Sequence, residues 1–284
     1  MSKDTTVHID SDTILFGVMG DPIRHSKSPH MHNRALRAKG VNGVYTALHI
    51  KPEALRDAIA GVRAMGFRGV NVTIPHKVNV MSLLDEIDED ARLIGAVNTI
   101  VNDNGKLTGY NTDGIGYVRS LKEEAEPNIA GKRILVIGAG GAARGIVYAL
   151  AKEKPDGIWI ANRTAEKARE LAADFQAFGP LAGIGMDDIG SLHGEIDIVI
   201  NTTSVGMHPH VDAIALDPDW LRPDMTVSDL IYNPLRTKLL NEAERRGCRI
   251  HGGLGMFIYQ GAYAFEYWTG LPAPIETMRG ALLE

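Results

Sequence analysis

A glycine-rich segment near the middle of the chain constrains the fold most strongly. It reads Gly138-Ala139-Gly140-Gly141-Ala142-Ala143, follows an apolar run typical of a buried strand, and opens a predicted helix. In the matching G-x-G-x-x-G/A pattern, the first glycine permits a tight turn and the second lets the backbone approach a pyrophosphate. The helix N-terminus supplies amides and a partial positive charge. The segment predicts a dinucleotide site, and an ordinary turn of an α/β domain is the alternative.

Apolar runs alternate with amphipathic runs along nearly the whole chain, which indicates an α/β fold with parallel sheets covered by helices. Asn104-Gly105 predicts a hairpin between strands at 99–101 and 106–109. A length of 284 residues suits two domains. We predict an N-terminal α/β substrate domain and a Rossmann-like NADP-binding domain, with the C-terminal helices returning to the first. The predicted ranges are 1–113 with 254–284 for the substrate domain and 114–253 for the nucleotide domain.

Composition narrows the function class. A net charge of −5 without a long basic run argues against nucleic acid as the main ligand. No apolar stretch approaches the roughly 18 residues that span a bilayer, and polar residues 1–12 are expected to be a disordered extension rather than a signal peptide. The single Cys248 excludes an internal disulfide, is expected in the core, and fits a reducing cytoplasm. The histidines match no common metal spacing, so no metal is expected.

The end of the next predicted strand distinguishes the two nicotinamide nucleotides. An NAD site would place a carboxylate there for the ribose 2′-hydroxyl, but the chain reads Asn162-Arg163-Thr164. Arg163 can pair with a 2′-phosphate and stack on adenine. Asn162 and Thr164 can add neutral hydrogen bonds, although Thr164 could serve only as a helix N-cap. The sequence predicts NADP, and a surface arginine without a ligand is the alternative.

Seven short motifs occur in a fixed order between Gly20 and Gln260. They are Gly20-Asp21-Pro22-Ile23-Arg24-His25-Ser26-Lys27-Ser28-Pro29, Asn71-Val72-Thr73-Ile74-Pro75-His76-Lys77, Gly95-Ala96-Val97-Asn98-Thr99, Asn111-Thr112-Asp113-Gly114, the Gly138 loop, Asn162-Arg163-Thr164, and Gly253-Leu254-Gly255-Met256 with Gln260. Together they resemble the shikimate dehydrogenases and the related quinate/shikimate dehydrogenases over nearly the whole chain. The resemblance implies reversible, NADP-dependent reduction of 3-dehydroshikimate to shikimate in aromatic amino-acid biosynthesis. A family member with relaxed substrate or NAD/NADP choice is the alternative.

The resemblance also implies the substrate site. Shikimate is a small carboxylated ring with three hydroxyls, so neutral hydrogen-bonding groups suit it. Ser26 and Ser28, with Tyr232, would bind the carboxylate, because hydroxyls donate to an anion with little bulk; a turn and helix cap before Pro29 is the alternative for the two serines. The groups implied for the ring hydroxyls are Asn71, Thr73, Asn98 and Gln260.

Lys77 resembles the acid/base group of the family, and Asp113 resembles its partner. An ammonium within hydrogen-bond reach can stabilise a developing alkoxide and deliver a proton, and a neighbouring carboxylate favours the charged lysine. A solvated surface lysine is the ordinary alternative. A nucleotide sensor on a retired enzyme scaffold would predict loss of Lys77 or Asp113, and both are present.

Further cofactor contacts are expected outside the glycine loop. The acidic run 85–90 is predicted to be a solvated helix face. Within it, the resemblance implies that Glu89 lies near the cofactor. No oligomer signature stands out, so the chain is expected to be a monomer or a homodimer whose partners are small molecules. The other residues expected at the cofactor are Lys167, Leu230 and Gly253.

Overall fold

The computed structural model describes residues 9–283. The chain divides into two compact units, the first made of residues up to 112 and from 261 onwards, the second of Asp113–Gln260. The domain boundaries given in the sequence analysis remain a prediction. In chain order the strands and helices are β1 (Ile14–Gly20), α1 (Ser28–Ala38), β2 (Gly43–His49), α2 (Leu55–Ala64), β3 (Gly69–Val72), β4 (Glu86–Ile87), α3 (Glu89–Ile94), β5 (Thr99–Asp103), β6 (Lys106–Tyr110), α4 (Asp113–Glu124), β7 (Arg133–Ile137), α5 (Gly141–Lys152), β8 (Gly157–Asn162), α6 (Ala165–Phe175), β9 (Leu181–Gly185), β10 (Ile198–Asn201), β11 (Thr226–Asp229), α7 (Lys238–Arg245), β12 (Arg249–His251), α8 (Gly253–Thr269) and α9 (Ile275–Leu283).

The sheet of the first unit has the strand order β2-β1-β3-β5-β6-β4. Strand β1 pairs in parallel with both β2 and β3, whereas β5 runs antiparallel to β3 and to β6. The hairpin between β5 and β6 confirms the turn prediction, because Asn104 and Gly105 both have positive φ, at 53° and 93°. The chain enters at β1 and builds outward on both sides, so the carboxyl ends of β1 and β3 lie at a topological switch point.

One face of this sheet is covered by α1 and by the C-terminal segment. Helix α9 packs on α1, and the rings of Phe16 and Tyr45 contact Trp268 near the end of α8. The Trp268 indole donates to the Ile100 carbonyl at 2.9 Å. A Cβ at Gly69 would lie 2.0 Å from the indole nitrogen, so this packing requires glycine. The C-terminal helices thus return to the first unit, as predicted.

The sheet of the second unit is parallel throughout and has the order β12-β11-β10-β7-β8-β9. Read from β9, this is the doubly wound order 3-2-1-4-5-6 of dinucleotide-binding folds. Helices α4 and α5 approach closely, since a Cβ at Gly114 would lie 2.2 Å from the Gly145 carbonyl oxygen. The predicted α/β class and the Rossmann-like arrangement are confirmed.

Three local predictions have different outcomes. The acidic run at 85–90 is not a helix face: it contains the two-residue strand β4, and Asp88 caps α3 by accepting from the Asp90 amide. Cys248 is buried as predicted, and burial raises the pKa of its thiol. Most of the predicted N-terminal extension lies outside the described residues, but Asp10 within it accepts hydrogen bonds from Thr13 and Asn42.

Candidate functional site

The glycine loop of the second unit joins β7 to α5. Gly138 has φ +108°, and a Cβ there would lie 2.6 Å from the Thr202 hydroxyl, so the tight turn demands glycine. Gly140 is the N-cap of α5, and beyond the adjacent residues and the backbone of α5, no atom of residues 9–283 lies within 4 Å of a Cβ added at Gly140 or Gly141. Within the described chain, no side chain caps the first turn of α5. Open space therefore lies over backbone amides that a pyrophosphate can accept from.

The end of β8 carries the groups predicted for a 2′-phosphate. Arg163 is exposed and makes no ion pair with the described residues. Thr164 occupies the N-cap of α6, but its side chain makes no capping hydrogen bond. Asn162 Nδ2 donates to the Thr164 carbonyl at 2.9 Å, and this bond fixes the turn. Lys167 is exposed one turn along α6. With the uncapped α5 terminus, these residues fit NADP, whose 2′-phosphate an uncommitted arginine can pair.

Leu230 and Gly253 lie together at the carboxyl edge of the same sheet. A Cβ at Gly253 would lie 2.0 Å from the Leu230 carbonyl oxygen, so glycine lets α8 begin directly against the end of β11. Glu89, in contrast, is the exposed first residue of α3 in the first unit. Its approach to the cofactor stays a prediction.

The first unit gathers the predicted substrate residues at the carboxyl ends of β1 and β3. Ser28 begins α1 and its amide donates to the Ser26 hydroxyl at 3.3 Å. Asn71 lies in β3, and Asn98 precedes the antiparallel β5, so both reach the same sheet edge. Thr73 and Lys77 lie on the loop after β3, where the Lys77 carbonyl accepts from the Val97 amide at 2.8 Å.

Buried hydrogen bonds hold these amides in fixed orientations. Asn71 Oδ1 accepts from the Tyr45 hydroxyl at 2.7 Å. Its Nδ2 donates to the Asn98 carbonyl at 3.2 Å and to the Thr99 hydroxyl at 3.1 Å. Asn98 Nδ2 donates to the Thr112 hydroxyl at 3.0 Å, and Asn98 Oδ1 accepts from the Thr112 amide at 2.8 Å. These structural bonds occupy part of the hydrogen-bonding capacity of the two asparagines, while their position at the switch point suits a ligand.

Asp113, Tyr232 and Gln260 belong to the second unit. Asp113 is the first residue of α4. The Tyr232 ring packs on Phe257, with centroids 5.1 Å apart, and burial raises the pKa of the Tyr232 hydroxyl. Gln260 Nε2 donates to the Phe257 carbonyl within α8. Their roles toward the substrate stay predictions.

Sequence reasoning missed a buried carboxylate at the end of β11. Asp229 accepts from the Thr237 hydroxyl at 2.8 Å, the Asn201 amide at 3.1 Å and the Ile231 backbone N–H at 3.1 Å. Asn201 Oδ1 in turn accepts from the amide and hydroxyl of Thr203. Burial raises the Asp229 pKa to about 6. No local pattern marks it, because a strand-terminal aspartate is ordinarily solvated.

Metal-binding clusters and membrane-spanning helices are both absent from residues 9–283. Among these residues, no three His, Cys, Asp or Glu side chains converge in a way that could hold a metal ion. None of the helices described has the length and apolarity to span a membrane.

The second unit has the architecture of dinucleotide-binding proteins, because its strand order, its uncapped α5 terminus and its positive-φ glycine turn occur together. Three family models match the chain: "Shikimate dehydrogenase substrate binding domain" over residues 18–100, "Shikimate / quinate 5-dehydrogenase" over 120–212, and "Shikimate 5'-dehydrogenase C-terminal domain" over 253–283. The chain belongs to the shikimate dehydrogenase family, which confirms the resemblance seen in the motifs.

Relatives match over almost the full length. The shikimate dehydrogenase (NADP(+)) of Geobacillus sp. (strain WCH70) is 52% identical over 270 residues, which are 95% of this chain and 98% of that protein. A crystal structure of a shikimate dehydrogenase in complex with NADP+ has a TM-score of 0.90 and 46% identity, covering 97% of this chain and 96% of that one. The shikimate 5-dehydrogenase of Listeria monocytogenes, solved with shikimate and NAD, has a TM-score of 0.92 and 40% identity, covering 98% and 99% of the two chains.

Proposed function

We propose that this chain is an NADP-dependent shikimate dehydrogenase that reversibly reduces 3-dehydroshikimate to shikimate in aromatic amino-acid biosynthesis. The observation that carries the proposal is the polar edge of the first unit. There, two asparagines and two serines lie at the carboxyl ends of β1 and β3, and Lys77 follows on the loop after β3. Neutral amides and hydroxyls suit a ring with several hydroxyl groups better than a strongly charged ligand.

Each group has a role that follows from its chemistry. Ser26 and Ser28 donate to the substrate carboxylate, with Tyr232 as a third hydroxyl. Their position at the start of α1 adds the partial positive charge of the helix N-terminus, which favours an anion. The groups that we assign to the ring hydroxyls are Asn71, Thr73, Asn98 and Gln260.

Lys77 is the acid/base group in this proposal, and Asp113 is its carboxylate partner. NADP supplies or accepts the hydride when it is bound. In reduction, the Lys77 ammonium donates a hydrogen bond to the ketone oxygen, stabilises the negative charge that develops there, and transfers its proton. In oxidation, the neutral amine accepts the proton of the same hydroxyl.

Arg163 carries the choice of cofactor. Its guanidinium can pair with two oxygens of a 2′-phosphate, whereas a 2′-hydroxyl offers no charge to pair with. We assign three groups of residues to the cofactor. The backbone amides of the glycine loop come from Gly138, Ala139, Gly140, Gly141 and Ala142. The side chains at the end of β8 and the start of α6 are Asn162, Arg163, Thr164 and Lys167, and the further positions are Leu230, Gly253 and Glu89.

A second candidate is a quinate/shikimate dehydrogenase with relaxed substrate or cofactor choice. It is favoured by the family model over residues 120–212, which names both substrates, and by the Listeria relative solved with NAD. Quinate carries an extra hydroxyl on the carbon that bears the carboxylate, so the space near Ser26 and Ser28 decides between the two. For either candidate we propose a cytoplasmic monomer or homodimer.

Absorbance at 340 nm tests both candidates with the purified full-length chain. Shikimate and quinate are each supplied with NADP+ and with NAD+, giving four reactions. A signal mainly with shikimate and NADP+ supports the first candidate, and comparable rates with quinate or NAD+ support the second. No reduced nucleotide in any of the four reactions contradicts both.

A further inference from the structure

The hydrogen bonds of Asn71 leave it one way to bind a ligand. Asn71 Nδ2 donates its two hydrogens to the Asn98 carbonyl and the Thr99 hydroxyl, and Asn71 Oδ1 accepts from the Tyr45 hydroxyl with one lone pair. The second lone pair of Oδ1 remains. Asn71 can therefore only accept from a ring hydroxyl.

The same bonds prevent the Asn71 side-chain amide from flipping. A free asparagine can exchange its oxygen and nitrogen by rotating about χ2. Here rotation would set Nδ2 against the Tyr45 hydroxyl and Oδ1 against two groups, one of which, the Asn98 carbonyl, can only accept. The Asn98 carbonyl thus selects the orientation of the amide, and in that orientation the Tyr45 hydroxyl donates to Asn71 Oδ1.

The Tyr45 phenol is held in place within the core of the first unit. The phenol itself is 2% exposed and held by ring contacts, stacked on His32 at a centroid distance of 4.4 Å and tilted against Trp268 at 6.0 Å. Such a group is rigid and does not reach solvent.

We infer that Tyr45 is a positioning residue for the substrate: its hydroxyl donates to Asn71 Oδ1 and holds that amide in place as an acceptor. Thr99 completes the arrangement by accepting from Asn71 Nδ2 and donating to Asn98 Oδ1 at 3.0 Å. The inference rests on the proposed function, because it takes Asn71 as a substrate-binding group. It adds that the ring hydroxyl at Asn71 must be a donor, so a fluorine or methoxy group in its place would be rejected.

Steady-state kinetics of shikimate oxidation test the inference in the full-length chain. Tyr45→Phe keeps the ring and removes the hydroxyl. We expect the KM for shikimate to rise about tenfold, the range of one hydrogen bond, while the KM for NADP+ stays within about twofold. Tyr117→Phe is the matched control, since it also removes a buried phenol bond, to Ser228 at 2.9 Å, but in the second unit. It should leave both KM values unchanged.

A double-mutant cycle separates positioning from general loss of stability. If Tyr45 acts through Asn71, the KM of Tyr45→Phe/Asn71→Ala equals that of Asn71→Ala alone, because the group to be positioned is already gone. Multiplicative effects of the two substitutions, or an unchanged KM in Tyr45→Phe, overturn the inference. A wild-type chain that does not oxidise shikimate refutes the proposed function instead.

Thr99 provides a second route if Tyr45→Phe does not fold. Thr99→Val removes the hydroxyl at nearly constant volume, and Thr99→Ser restores it. A raised KM for shikimate in Thr99→Val that Thr99→Ser reverses supports the inference. Equal KM values in the two variants contradict it.

Discussion

Asp229 should make the second unit less stable as the pH rises through the weakly acidic range. Its carboxylate is fully buried at the end of β11, and the groups that bond it are neutral. Burial raises its pKa from the ordinary value of 3.8 to about 6, although the three hydrogen bonds oppose the rise. The folded state therefore holds its proton more tightly than the unfolded chain does. Stability due to this group is present below pH 4 and is lost as the pH rises to about 6.

The magnitude follows from the two pKa values. Each pKa unit corresponds to ~1.4 kcal/mol, so the full change is about 3 kcal/mol, of which about 2 kcal/mol falls between pH 4.5 and pH 7.5. Buried histidines act in the opposite direction, since burial lowers the pKa of His251 to about 4 and that of His32 to about 3. The total pH dependence of the wild type thus mixes several groups, and only a comparison with a variant isolates Asp229.

Asp229→Asn keeps the size of the side chain and one acceptor oxygen while removing the titration. Urea unfolding at four pH values between 4.5 and 7.5, followed by the fluorescence of Trp159 and Trp220 in the same unit, gives the free energy of unfolding of both proteins. The difference, variant minus wild type, should increase by about 2 kcal/mol from pH 4.5 to 7.5. A constant cost of the substitution cancels from this comparison.

An exposed aspartate supplies the control. The pKa of Asp224 is lowered below its ordinary value of 3.8, chiefly by its hydrogen bond from Arg222, so Asp224→Asn should leave the same difference nearly constant between pH 4.5 and 7.5. A difference between Asp229→Asn and wild type that does not change with pH refutes the reasoning, because it would mean that Asp229 titrates alike in the folded and unfolded chains.

Further predictions concern the nucleotide site. Gly138→Ala should lower the free energy of unfolding by about 1–3 kcal/mol, because a non-glycine residue is strained at positive φ. Gly140→Ala should unfold like wild type but raise the KM for NADP+, because its methyl group fills the space over the amides. Equal thermal stability of the two variants would contradict the assigned geometry. Arg163→Ala should raise the KM for NADP+ by roughly 10- to 100-fold, the value of charged hydrogen bonds, and leave that for NAD+ unchanged. Arg169→Ala, at an exposed arginine of the following helix α6 that pairs with Glu166, should change neither KM value. A parallel loss of affinity for both nucleotides in Arg163→Ala would contradict the pairing of Arg163 with the 2′-phosphate.

Local signals predicted those parts of the fold whose geometry is set by neighbours in sequence. Asn104-Gly105 predicted the hairpin because few residues tolerate two successive positive φ values. The glycine loop predicted both the turn and the start of α5, since Gly138 and Gly140 serve different steric needs visible in their spacing. Strand β9 was not predicted, because Leu181-Ala182-Gly183-Ile184-Gly185 is short and contains two glycines that weaken the strand pattern.

The candidate site was only partly readable for a different reason. Ser28, Asn71 and Asn98 could be proposed from motifs, but the bonds that orient them join residues up to 28 positions apart. Tyr45 looks like an ordinary strand aromatic until β2 is paired with β1 and its hydroxyl meets Asn71. Likewise, the acidic run at 85–90 has helical composition, yet pairing with β6 turns part of it into β4. Long-range pairing decides these cases, and no local pattern encodes it.

The role of Lys77 is the central claim, and its most direct test is the turnover number for NADP+-dependent oxidation of shikimate in wild type, Lys77→Ala and Lys39→Ala. Lys39 is an exposed lysine at the end of α1 in the same unit, and serves as the matched control. The account predicts that Lys77→Ala lowers kcat by about 10²- to 10⁴-fold, the range of a general acid or base, with the KM for shikimate changed only a few-fold and Lys39→Ala unaffected. A Lys77→Ala variant that keeps its kcat and loses only affinity would contradict it.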